Sequence, residues 1–102
     1  MPKFNFEIPA PLESKTAFDK IKVFLNSENS FKKMDSQITC TFDETQKSCH
    51  LNGSQFKAVL NVHSESHDKS KVFIEVEIPF SLSFFKGKIK DEIEKVFKKI
   101  LS

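Results

Sequence analysis

The sequence predicts an α+β domain of order β-α-β-β-β-β-α, an antiparallel, curved, five-stranded sheet with two helices on one face. Three observations predict it. The chain ends on an apolar stripe of helical period, Ile89, Ile93, Val96, Phe97 and Ile100, with mostly lysine and carboxylate between. A second stripe of the same period, Ala17, Phe18, Ile21, Phe24 and Leu25, lies near the start. Five other segments alternate apolar and polar residues, as half-buried strands do. An amphipathic helix cannot bury its stripe alone in water, so the strands are read as the surface it covers.

Lys3-Phe4-Asn5-Phe6-Glu7-Ile8 is the first strand, with Phe4, Phe6 and Ile8 on one face and Pro9 and Pro11 expected to stop it. The first helix is expected from about Leu12 to Leu25. Ser14 or the residues just before it suit the cap, and Glu13 suits the positive helix end. Asn26 to Ser30 reads as a polar loop, with Phe31 and Met34 tucked under the sheet edge.

Four strands follow. Gln37 to Phe42 turns Ile38, Cys40 and Phe42 inward, and Lys47 to Leu51 does so with Cys49 and Leu51. Gln55 to His63 carries Phe56, Ala58, Leu60 and Val62 inward, and Lys71 to Phe80 carries Val72, Ile74, Val76 and Ile78. Ser64 to Ser70 between the last two reads as a polar loop. Asn52-Gly53 is a strong hairpin signal because both residues tolerate positive φ. Two-residue turns there and at Glu44-Thr45 pair Cys49 with Phe56 and Cys40 with Cys49, keeping every inward residue on one face. The first strand is expected beside the last. Ser83 is a possible cap of the terminal helix, and Gly87 is expected to sit where that helix approaches the sheet closely.

At 102 residues the chain is read as a single domain spanning 1–102. Its aromatic share is twelve phenylalanines with no Trp or Tyr, bulk without a polar handle. All sixteen basic residues are lysine, against fourteen acids, for a net charge of +2. That charge serves solubility, and the absence of arginine argues against nucleic acid as a partner. No apolar run is long enough for a transmembrane segment, and no leader-like stretch opens the sequence. With two cysteines only, a reducing cytoplasmic setting is expected.

The residues suggest no catalytic, cofactor or metal site. His63 and His67 are four apart, but they flank a strand end and a loop, with no evident third ligand. Cys40 and Cys49 read as two small thiols filling the core rather than as a redox pair. His50 points outward without a triad partner, and two distant glycines make no phosphate loop. The lysines of the terminal helix, Lys86, Lys88, Lys90, Lys95, Lys98 and Lys99, are interleaved with acids and read as a mixed, solvated face. The apolar excess is more informative. Phe73 and Val59 fall on the face opposite the core, while Phe80, Leu82, Phe84 and Phe85 cluster just before the last helix. Exposed apolar patches mark partners or ligands.

The second half carries a recognisable pattern. Leu51-Asn52-Gly53-Ser54-Gln55-Phe56-Lys57-Ala58-Val59-Leu60-Asn61-Val62, then Val76-Glu77-Ile78-Pro79-Phe80-Ser81-Leu82-Ser83-Phe84-Phe85-Lys86-Gly87-Lys88-Ile89, then Ile93 and the helix to Leu101, resembles the polyhydroxyalkanoic acid system family. These are short bacterial proteins named for the proximity of their genes to polyester-granule genes. The first half matches only in outline. The resemblance implies a reduced helix-grip, START-like architecture, in which a long terminal helix closes a curved sheet over an apolar cavity that at this length is small or filled. It brings no catalytic residues. What it implies is a non-enzymatic bacterial binding module that engages a polyester granule or another apolar ligand, without a cofactor. The candidate surface is Phe80, Leu82, Phe84, Phe85, Ile89 and Ile93. The alternative is a structural protein that forms a homodimer through its sheet or through Phe80 to Phe85.

Overall fold

The computed structural model describes residues 3–27 and 37–102. In chain order the elements are β1 (Lys3–Ala10), α1 (Ser14–Ser27), β2 (Thr39–Asp43), β3 (Ser48–Asn52), β4 (Lys57–Ser66), β5 (Lys69–Glu77), a 3₁₀ turn (Phe80–Phe85) and α2 (Lys86–Leu101). The sheet runs β1-β5-β4-β3-β2 and every pairing is antiparallel. This is the predicted architecture, with β1 beside β5 and both helices on one face. The sites expected for Phe31 and Met34 lie outside the described residues.

Alternation decides which face is covered. Phe6, Ile8, Val72, Ile74, Val76, Leu60 and Leu51 are buried, while Glu7, Glu75 and His50 on the other pleat are exposed. Helix α1 starts where Glu13 caps it. The Glu13 carbonyl accepts the Ala17 N–H at 3.0 Å, and its carboxylate accepts the Thr16 hydroxyl at 3.1 Å. Ala17, Phe18, Ile21 and Leu25 bury against the sheet. Lys22 on its flank pairs with Glu44, tying α1 to the β2–β3 loop.

Four expectations about the strands change. β1 does not stop at Pro9 but continues to Ala10, with Pro9 opposite Lys71. It is an edge strand, where a proline can turn its missing N–H to solvent. Ser64 to Ser70 is not a loop: β4 runs to Ser66, bulges between Ser64 and Ser66, and turns at His67-Asp68 into β5. Lys71 holds this hairpin to the edge through Glu65 at 3.1 Å and Glu7 at 3.7 Å, and those carboxylates raise its affinity for its proton.

Both shorter hairpins also open wider than two residues. Asp43 pairs with Ser48 and Asn52 with Lys57, so four residues turn in each. In the first, the Asp43 side chain accepts the Gln46 N–H at 3.0 Å, and Lys47 takes a positive φ of 50°. In the second, the Gly53 N–H donates to the Phe56 carbonyl at 2.8 Å, and Gly53 does not use positive φ. Cys40 therefore faces Leu51 rather than Cys49, and Cys49 faces Leu60 rather than Phe56. The partners move by two and by four positions. Both are even displacements, so the pleat face of every residue survives.

Helix α2 crosses the covered face, packing on β1 and α1. Ile93, Phe97 and Leu101 are buried, and the Phe97 ring meets Phe24 of α1 edge-on at 5.9 Å. Lys90 pairs with Glu94 at 3.9 Å and lies over the Phe6 ring at 5.8 Å. Gly87 is not a point of close contact. A Cβ built there meets nothing within 4 Å. Nor does Ser83 cap α2, whose cap position is Phe85 without a side-chain bond. The Ser83 hydroxyl instead donates to the Phe80 carbonyl at 2.8 Å, inside the 3₁₀ turn.

Candidate functional site

Pro79 ends the strand region, with φ −69° and ψ 157° as the cap of the 3₁₀ turn, and the Leu82 N–H donates to its carbonyl at 3.0 Å. A 3₁₀ turn has three residues per turn, so positions three apart eclipse. Leu82 and Phe85 share one row on that account. Beyond Lys86 the period becomes α-helical, and positions four apart continue the line. Leu82, Phe85, Ile89, Ile93, Phe97 and Leu101 thus form one apolar row through the change of helix type.

Burial is uneven along this row. Phe97 and Leu101 are each 1% exposed and Ile93 5%, whereas Leu82 and Ile89 are partly covered and Phe85 is 52% exposed. The row is buried along the second half of α2 and only partly covered along the first. The partly covered stretch lines a groove of about 390 Å³ bounded by Leu82, Phe85, Lys88, Ile89, Glu92 and Ile93. Four of the six residues proposed from the sequence, Leu82, Phe85, Ile89 and Ile93, are brought together there. Phe80 and Phe84 are not. They occupy the other rows of the 3₁₀ turn and point to solvent, 74% and 95% exposed.

Beneath the second half of α2, side chains fill the space between helix and sheet. Phe97, Leu101, Ile21, Ile8 and Val76 are fully or nearly fully buried in one continuous core. A further open groove, about 530 Å³, runs between α1 and the end of α2 along Thr16, Asp19, Lys20, Val23, Phe24 and Ile100. Counting stripes passes over it. Its signal is that Phe24 and Ile100 sit at the margins of their stripes and Val23 lies outside one altogether. On the outer face, Phe73 is partly exposed and its ring meets His63 edge-on at 4.7 Å.

The polar candidates are dispersed. His63 lies within β4 and His67 in the hairpin turn, rather than both flanking a loop. Among the described residues, no three His, Cys, Asp or Glu side chains gather as a metal site would need. Cys40 and Cys49 are thiols and are not joined as a disulfide. Burial pushes the Cys49 thiol up to about 12, with the neighbouring Cys40 adding to the effect, so it is protonated at neutral pH and a poor nucleophile. Among the described residues, no helix is long and apolar enough to cross a membrane.

No family model and no curated protein matches the sequence. Solved structures do match in shape. A START superfamily protein from Mycobacterium smegmatis superposes with a TM-score of 0.62 at 6% identity, over 97% of this chain and 96% of that one. A protein from Thermus thermophilus gives 0.62 at 9% identity over 98% and 94%. The di-domain ARO/CYC BexL gives 0.65 at 8% identity, with 99% of this chain covering 45% of that longer one. Norcoclaurine synthase from Thalictrum gives 0.54 at 7% identity. At such identities the likeness is one of fold, and it agrees with the strand order, the curved antiparallel sheet and the crossing terminal helix. The chain has the helix-grip fold of START-like domains.

Proposed function

We propose that this protein is a non-enzymatic binding module that takes an apolar chain into the groove of Leu82, Phe85, Ile89 and Ile93. The observation that carries this reading is the partly covered start of the row, where Leu82 and Ile89 pack against the core on one side and, with the half-exposed Phe85, line an open apolar groove on the other. The groove volume of about 390 Å³ falls in the range of small-molecule sites, and its walls carry just Lys88 and Glu92 as charged groups. The ligand implied by the family resemblance is a polyhydroxyalkanoate polyester, at a granule surface in the bacterial cytoplasm. An ester chain suits such walls, with methylenes against the isoleucines and carbonyls within reach of Lys88. Catalysis is disfavoured by the protonated Cys49 and by histidines spread over the outer face. Since one structural neighbour is named a synthase, the fold by itself does not decide that point.

Co-sedimentation with polyhydroxybutyrate particles tests the reading, comparing wild type with Leu82→Ser/Phe85→Ser. Retention of wild type and its loss in the variant are expected. A wild type left wholly in the supernatant ends the polyester assignment. A homodimer is the second reading, favoured by the largely exposed Phe84 and Phe80. Light scattering after size exclusion tests it, and a monomer at high concentration sinks it.

A further inference from the structure

The outer edge of β1 has no strand against it among the described residues. Which of its backbone groups point outward follows from two hydrogen bonds elsewhere in the sheet. The Val62 N–H donates to the Lys47 carbonyl at 2.9 Å and the Gly53 N–H to the Phe56 carbonyl at 2.8 Å, so both are hydrogen-bonded pairs on the β3–β4 register. Antiparallel bonding alternates along a strand. Carried through the registers of β4 with β5 and of β5 with β1, the alternation assigns Phe4, Phe6, Ile8 and Ala10 to the ladder with β5. Lys3, Asn5, Glu7 and Pro9 turn their backbone groups outward. Pro9 agrees with this phase, because a proline at an outward position takes no N–H from the ladder.

Lys3-Phe4-Asn5-Phe6-Glu7 is symmetric about Asn5 in shape and opposite in charge at its ends. Lys3, Asn5 and Glu7 are exposed, and Phe4 is only partly covered. Set antiparallel against a second copy with Asn5 opposite the partner's Asn5, Lys3 stands opposite the partner's Glu7 and Phe4 opposite the partner's Phe6. The pairs made by Lys3, Asn5 and Glu7 then exchange both backbone hydrogen bonds. Phe4 and Phe6 take the other positions, where cross-strand side chains come closest. Lys3 already lies 3.6 Å from Glu77 and Glu7 3.7 Å from Lys71, exposed contacts that a further charge can join. Other registers are poorer. Centring on Lys3 or Glu7 sets like charge against like. Centring on Phe4 or Phe6 pairs neither charge with its opposite, and the second of these sets Lys3 against the partner's Pro9, which has no N–H to give.

We infer that two copies of this chain pair through their β1 edges about a two-fold axis at Asn5, joining their sheets into one antiparallel sheet with the helices of both copies on one face. Charge and proline on an edge strand ordinarily block pairing. Here Pro9 lies outside the paired stretch and the two charges match in one register alone, so the same features that exclude other registers select this one. The occupant is a second copy because the strand supplies its own complement. A foreign strand would need a carboxylate and a lysine at the matching positions in reverse order. The inference rests neither on the groove nor on Phe80 and Phe84.

Sedimentation equilibrium of charge-swapped variants supplies the test. Wild type is expected to dimerise. Glu7→Lys alone sets lysine against the partner's Lys3, and Lys3→Glu alone sets glutamate against the partner's Glu7, so each should weaken the dimer at least about tenfold. An equimolar mixture of the two variants restores both opposite-charge pairs and should form a heterodimer. Asn5→Pro removes the central N–H of each copy without touching the ladder to β5, and should weaken the dimer about tenfold. In amide exchange, Asn5 and Glu7 should slow as wild-type concentration rises, while Phe6 and Ile8 are slow throughout. Unchanged far-UV circular dichroism and urea midpoints show that the variants still fold. A wild type monomeric at high concentration overturns the inference, as does either single variant dimerising as wild type does, a mixture that stays monomeric, or exchange at Asn5 and Glu7 that ignores concentration. A dimer lost in Phe80→Ser/Phe84→Ser and kept in Glu7→Lys also overturns it, and seats the contact on the 3₁₀ turn. Polyester retention by a monomeric wild type leaves the groove reading standing and removes this one alone.

Discussion

Phe97 and Phe84 lie on the same terminal segment, and the structure assigns them opposite energetic roles. Phe97 is 1% exposed, sits mid-row in α2 and meets the Phe24 ring at 5.9 Å. Replacing it by alanine removes the transfer energy of a buried ring and leaves a cavity that rigid neighbours on β1 and α1 fill only in part. Such changes cost about 3–5 kcal/mol. A domain of this size has roughly 5–15 kcal/mol in total, so Phe97→Ala should leave a marginal fold. Phe84 is 95% exposed, and Phe84→Ser should move stability by no more than about 0.5 kcal/mol. Because the chain has no Trp or Tyr, the assay is urea unfolding followed by circular dichroism at the helix band. Phe97→Ala should lower the urea midpoint by roughly 2 M, and Phe84→Ser should leave it where it is. A loss below about 1 kcal/mol at Phe97 would refute the packing of α2 on the sheet. A loss above about 1.5 kcal/mol at Phe84 would show that its ring is covered, and the exposed rim would not exist.

Three smaller effects follow from single residues. Gly87→Ala should raise stability by up to about 1 kcal/mol, since the helix gains propensity and a Cβ there meets open space; a decrease on thermal melting would restore the close contact that the sequence suggested. The Cys49 thiol keeps its proton to about pH 12 when folded but ionises near 9 when unfolded. Its contribution is therefore complete below pH 9 and is lost as pH rises toward 12, with a slope approaching about 1.4 kcal/mol per pH unit. Stability of wild type measured against Cys49→Ala across that range should converge; parallel curves would mean the thiol ionises freely. The Ser70 hydroxyl is buried with no hydrogen-bond partner among the described residues, so Ser70→Ala should be neutral or stabilising in urea titration, and a loss above about 1 kcal/mol would reveal a bound partner.

The sheet is legible in the sequence because burial imposes a period of two, and that period survives errors of turn length. Cys40 is expected opposite Cys49 and stands opposite Leu51, yet both residues keep their face because the slip is even. Turn length is not legible. Asn52-Gly53 permits a tight turn, but the buried Phe56 draws the loop inward, and a four-residue connection brings its ring into the core. Likewise Pro9 reads as a strand breaker until β1 is known to be an edge, a fact fixed by pairing and not by local composition. At the candidate site, Phe80 to Phe85 is visible as an apolar excess. Its division into a groove row and a solvent rim is not. That division depends on three residues per turn in one segment and the α period in the next, which alternation and stripe counting do not resolve.

The claim on which the functional account turns is that the groove along the partly covered first half of the α2 row holds an apolar ligand. Methyl-resolved NMR with isoleucine and leucine labels, titrated with a soluble 3-hydroxybutyrate oligomer, addresses it directly. The account predicts saturable shifts at Leu82, Ile89 and Ile93, with Ile8 and Ile74 in the core unmoved. Shifts confined to Ile100, beside the groove between α1 and α2, or no shifts at any methyl, would contradict it.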